Sequence, residues 1–126
     1  MLDKTGKVLI DFPYLKTPYP LSPAKLIKII EDFVTADSRI KRVTVGLPGM
    51  IRDGKIVFIP HYINKNGPRG AVDQQLKKAW HSFDMQSGLQ KKLKLPTLVL
   101  NDAEVHAAVF IISIGMHIIF SCGYKI

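Results

Sequence analysis

Short apolar runs, each closed by Gly, Pro, Asn or Asp, alternate along this chain with longer stretches of helical periodicity. That alternation constrains the fold more than any single residue does. Lys7 to Phe12 (KVLIDF) alternates as a strand, and Pro13, Pro18 and Pro20 then enforce an extended connector. Ser22-Pro23 predicts a helix start, with Leu26, Ile27, Ile30, Phe33 and Val34 on one face of a helix from Pro23 to about Ala36. Arg42 to Leu47 (RVTVGL) is a β-branched strand running into the turn Gly46-Leu47-Pro48-Gly49. Asp53-Gly54 between Met50-Ile51 and Lys55 to Ile59 signals a hairpin. His61 to Gly70 reads as a polar loop, and Val72 to Trp80 and Phe83 to Lys94 as helices, the second stopped before Pro96. Thr97 to Leu100 is a short buried strand, Asn101-Asp102 caps a helix continuing to about Ile112, and His117 to Cys122 is a last strand. Mixed strands and helices in this order predict a layered α/β sheet.

Composition narrows the function classes. The 126 residues suit one small domain or part of a larger one, and 47% hydrophobic against 22% charged residues is globular. A lone cysteine, Cys122, excludes a disulfide framework and points to a reduced, cytoplasmic setting. Eighteen Lys and Arg against ten Asp and Glu leave a charge of +8, which attracts anions such as polyphosphate or nucleotides. The densest bases, Lys77-Lys78 and Lys91-Lys92 with Lys94, fall in helical stretches, where a solvated face is the plain explanation. Aromatics are not interleaved with them, so no nucleic-acid partner is expected. Val105 to Cys122 is long and apolar, but His106 and His117 interrupt it. A buried helix, turn and strand is therefore expected rather than a membrane partner, with a tail anchor as the alternative.

Several chemistries lack their residues. There is no GxxxxGK[ST] loop, GxGxxG, HExxH or GxSxG, and the four histidines have no metal-ligand spacing, so no metal site is expected. The strongest local signal is Leu98-Val99-Leu100-Asn101-Asp102-Ala103-Glu104. An apolar strand there delivers an amide and a carboxylate to a helix start, the place where open α/β sheets hold ligands. The carboxylate of Asp102 suits proton transfer from a substrate hydroxyl, and Asn101 suits hydrogen bonds to its neighbours. The same two residues also suit plain N-capping. The glycines of Gly46 to Gly49 allow close approach to a ligand or simply make a turn. The His61 loop carries polar groups able to meet a sugar, and Trp80 reads as packing.

The blocks VTVGLPGMIRDGKIVFIP and FDMQSGLQKKLKLPTLVLNDAEVHAAV, with a tryptophan-bearing helix between them, resemble the ROK family of sugar kinases, most closely its polyphosphate- and ATP-dependent glucokinases. The resemblance runs from about Leu2 to Gly115 and is most specific over Leu95 to Ala107. It implies an α/β fold of ribonuclease-H-like, actin/hexokinase type. It also implies phosphoryl transfer from ATP or polyphosphate, with Mg2+, to the 6-hydroxyl of glucose or a related hexose. On the same resemblance Asp102 is the catalytic base, Asn101 holds sugar hydroxyls, Gly46 and Gly49 line the sugar pocket, His61 stands at a sugar contact that is usually Asn, and Gly123 keeps one position of a phosphate motif. The family's opening Asp-Ile-Gly-Gly-Thr hairpin has no match here, and its Leu-Gly-Thr-Gly motif is matched by Ser121-Cys122-Gly123-Tyr124. Residues 1–126 are therefore expected to be an incomplete N-terminal domain, inactive alone, and its open sheet edge beside Lys7 to Phe12 predicts a homo-oligomer or aggregate. The alternative class is a non-catalytic sugar- or anion-binding module derived from the same family.

Overall fold

The computed structural model describes residues 16–67, 69–104 and 117–121, the last five as backbone. Among the described residues eight elements follow one another: α1 (Pro23–Thr35), β1 (Arg42–Leu47), β2 (Met50–Arg52), β3 (Lys55–Phe58), α2 (Gln74–Trp80), α3 (Met85–Leu93), β4 (Thr97–Asn101) and β5 (His117–Ser121). The strand at Lys7 to Phe12, the helix beyond Glu104, and Gly123 lie outside the described residues.

Three strands make a parallel sheet in the order β4-β1-β5. The register sets Leu47 opposite Asn101 and Gly46 opposite Ser121, so the carboxyl ends of all three strands meet along one edge. The β-branched run of β1 suits its central place: Val43, Val45 and Leu47 are all buried. β5 covers most of the second half of the apolar C-terminal run. A continuous Val105 to Cys122 membrane helix is therefore not what this sequence forms, and no helix among the described residues is long and apolar enough to cross a membrane.

α1 begins as its sequence dictates. Ser22 Oγ accepts from the Lys25 N–H at 3.2 Å and Pro23 stands in the first turn. Its buried face is Leu26, Ile30 and Val34, with Ile27 and Ile29 packed beside the core. α1 lies against α3, close enough that a β-carbon on Gly88 would sit 3.1 Å from Ile27 Cδ1. α2 and α3 start at Gln74 and Met85, two residues later than the apolar pattern alone predicts. Val72 instead bridges to Asn64, and the carboxylates of Asp73 and Asp84 accept from backbone N–H groups of the following turn. The β2–β3 hairpin closes on Asp53 and Gly54, both at positive φ (52° and 76°), the pair a type I′ turn requires.

The loop from His61 is less polar than its composition suggests. Tyr62, Ile63 and Asn64 are buried, and the Asp73 N–H donates to Ile63 O at 2.8 Å, closing the loop on itself. Trp80 is its anchor. The indole is 1% exposed, tilts against the Tyr62 ring with centroids 5.3 Å apart, and donates from Nε1 to Leu21 O at 2.9 Å. Trp80 is thus packing, as its sequence context indicates.

β4 is the edge strand of the described sheet, and its outward backbone groups are met by side chains. Gln90 Nε2 donates to Thr97 O at 3.1 Å, and Gln86 Oε1 accepts from the Val99 N–H at 3.2 Å. Covering an edge in this way removes a template for intermolecular strand pairing.

Candidate sugar site at the carboxyl edge of the sheet

The site starts from the register. Because Leu47 and Asn101 are partners, the Pro48-Gly49 turn and Asp102 leave the sheet side by side. Asn101 then ties the two together: its Nδ2 donates to Gly49 O at 2.7 Å, across 52 residues of sequence. Its Oδ1 accepts from the Ala103 N–H at 2.9 Å, the N-capping bond. Both ends of the amide are therefore engaged, leaving one N–H and one lone pair for any further partner. The cause of this engagement is local. An amide at the last strand position, beside a glycine turn, meets the turn's carbonyl before anything else.

Gly49 must be glycine for the turn to sit here. A β-carbon on it would collide with Phe58 O and lie 3.1 Å from Ile59 Cα, so the turn is pressed against the end of the hairpin. Gly46 is buried in β1, paired across to Leu100 and Ser121.

Asp102 is half-buried at the first position of the helical turn. Its Oδ1 accepts from the Ala103 N–H at 2.9 Å, a hydrogen shared with Asn101. Glu104 closes the turn from the other side: its Oε2 accepts from the Asn101 N–H at 3.0 Å. Glu104 thus makes the return bond of a capping box around Asp102, while Asn101 Oδ1 takes the Ala103 N–H in place of the Glu104 N–H. Sequence reading passed over Glu104, although Asn followed three residues later by Glu is the pattern of that motif.

The remaining sequence candidates fall as follows. His61 is half-buried, two residues beyond Ile59, on the loop that follows the hairpin. Asn64 is buried and donates from Nδ2 to Pro60 O at 3.3 Å, a structural bond within its own loop. Ser121 stands at the same sheet edge as Gly46. The basic pairs lie elsewhere. Lys77, Lys78, Lys91 and Lys92 occupy the last turns of α2 and α3, where cations complement unpaired carbonyls. Lys91, Lys92 and Lys94 precede the amino end of β4, about 13 Å of strand away from Asn101. Among the described residues no group of three or more His, Cys, Asp or Glu is placed to hold a metal ion.

The carboxyl edge of this parallel sheet gathers a glycine turn, a strand-end amide and a helix-start carboxylate, at the place where open α/β sheets hold ligands. The ROK family profile matches residues 1–110, and the chain belongs to the ROK family. No curated protein and no solved structure matches it.

Proposed function

We propose that this chain carries the sugar-accepting half of a hexose kinase site, within a fold of ribonuclease-H-like, actin/hexokinase type. The observation that carries the reading is the 2.7 Å bond from Asn101 to Gly49 O, which sets Asp102 beside the Gly46–Gly49 turn in a chain of the ROK family. The hexose sits against the turn. The free N–H and lone pair of Asn101, with His61 from the neighbouring loop, meet its ring hydroxyls.

Asp102 has one oxygen turned back on its own helix and offers the other, Oδ2, to the sugar's primary hydroxyl. As that hydroxyl oxygen attacks the terminal phosphorus of the donor, its proton passes to Asp102. The bond from phosphorus to the leaving phosphate oxygen breaks. Glucose is the acceptor proposed, and ATP or polyphosphate the donor. Phosphoryl donors of this kind travel with Mg2+ held largely by their own phosphate oxygens, and no step here runs through that ion. Gly123 is assigned to the donor's phosphates by family resemblance.

The test separates binding from turnover. Calorimetric titration of the chain with glucose is expected to show saturable binding, and 31P NMR with MgATP or polyphosphate is expected to show no hexose 6-phosphate from the chain alone. Joined to the donor-binding half of an active ROK kinase, the same chain is expected to yield that signal. Glucose binding without turnover in the joined enzyme would favour the non-catalytic sugar-binding class, and absence of glucose binding would contradict the proposal.

A further inference from the structure

We infer that Glu104 is a positioning residue that fixes the aim of Asp102. The inference rests on the phosphotransfer reading above and assigns a role within that site to a side chain that touches no substrate.

The argument begins at the sheet edge. β1 bonds to β4 through Val43, whose N–H donates to Pro96 O at 3.0 Å. In a parallel ladder the alternate residues of β4, namely Thr97, Val99 and Asn101, then turn their backbone groups outward. Gln90 and Gln86 on α3 meet the first two. At Asn101 the acceptor comes from Glu104 instead, at 3.0 Å. The backbone of Asn101 is thereby held from outside the sheet while its side chain is held from inside by Gly49 O. Asp102, the next residue, inherits its direction from both bonds. Without Glu104 the Asn101 N–H turns to water, the shared bonds at the Ala103 N–H loosen, and the carboxylate samples directions away from the hydroxyl. Misplacement of about 1 Å in such a site lowers turnover by up to about 100-fold.

The role predicts a specific split. Glu104→Ala, assayed with glucose and MgATP or polyphosphate in the full chain joined to the donor-binding half of an active ROK kinase, is expected to lower kcat about tenfold while KM changes less than about twofold. Glu104→Gln keeps an acceptor oxygen at the same reach and is expected to stay within about threefold of the native kcat. Glu104→Asp keeps the charge at the helix start but is one methylene shorter. It guards against a misfolded alanine variant and is expected to behave like alanine in kcat. The Asn101 amide gives an independent readout: its hydrogen exchange is expected to accelerate about tenfold in the Ala and Asp variants and to stay near native in the Gln variant. Unchanged kcat of the joined enzyme in both the Ala and Asp variants, with native exchange at the Asn101 amide, would overturn the positioning role alone. A joined enzyme with native Glu104 that phosphorylates no hexose would overturn the kinase reading, and this inference with it.

Discussion

With this chain joined to the donor-binding half of an active ROK kinase, Asp102→Asn is expected to lower hexose phosphorylation by about 10²- to 10⁴-fold while leaving glucose affinity within a few-fold of native. The substitution preserves shape and keeps an oxygen that can accept from the Ala103 N–H, so the capping bond at 2.9 Å survives. What is lost is a group able to take the hydroxyl proton. Steady-state kinetics with matched calorimetric titration of glucose separates the two effects. Equal turnover in the Asn variant would reduce Asp102 to a helix cap and remove the base from the mechanism.

Trp80→Ala is expected to destabilise the chain by about 3–5 kcal/mol, the range for emptying a large aromatic site in a core. Three losses combine there. The buried indole volume goes, the tilted contact with Tyr62 goes, and Leu21 O loses its donor. The effect reaches the site indirectly, because Tyr62 belongs to the loop that carries His61 and follows the hairpin pressed on Gly49. Urea unfolding followed by circular dichroism measures it. Trp80→Phe is expected to cost less, since it retains most of the ring packing and forfeits chiefly the bond to Leu21 O, worth about 1–3 kcal/mol when a buried acceptor is left unmet. A loss below about 1 kcal/mol for the Ala variant would show that the indole does not anchor this core.

Local chemistry in the sequence went far toward the fold. The β-branched Arg42–Leu47 run, Ser22-Pro23 and Asp53-Gly54 each specify their element through short-range sterics and capping, and each stands where its pattern puts it. The loop after β3 was harder to read. Tyr62 and Ile63 sit among Asn, Gly and Pro, and their burial depends on Trp80 and on the closure between Ile63 and Asp73, which no local window contains. The polar residues of α3 carry no local signal of their partners either. Gln86 and Gln90 reach the backbone of β4, which no local window contains. At the site, the types Asn and Asp were legible from their place between a strand and a helix. The engagement of Asn101 with Gly49 was not, because the two are 52 residues apart and only the parallel register makes them neighbours.

That register also separates the basic excess from the site. Lys91, Lys92 and Lys94 stand at the amino end of β4, whereas Asp102 follows its carboxyl end. Their charges draw anions toward the molecule over distances of about a Debye length, roughly 8 Å at physiological salt, without meeting a donor at Asp102.

The central claim is that a hexose occupies the edge where the Gly46–Gly49 turn meets Asn101 and Asp102, and titration of the 15N-labelled chain with glucose tests it most directly. The account predicts saturable shifts in the backbone amides of Gly46, Leu47, Gly49, Asn101 and Asp102. It predicts no comparable change at Lys91, Lys92 or Lys94. Shifts centred on the lysines and the amino end of β4, or no saturable shift at the glycine turn, would contradict it.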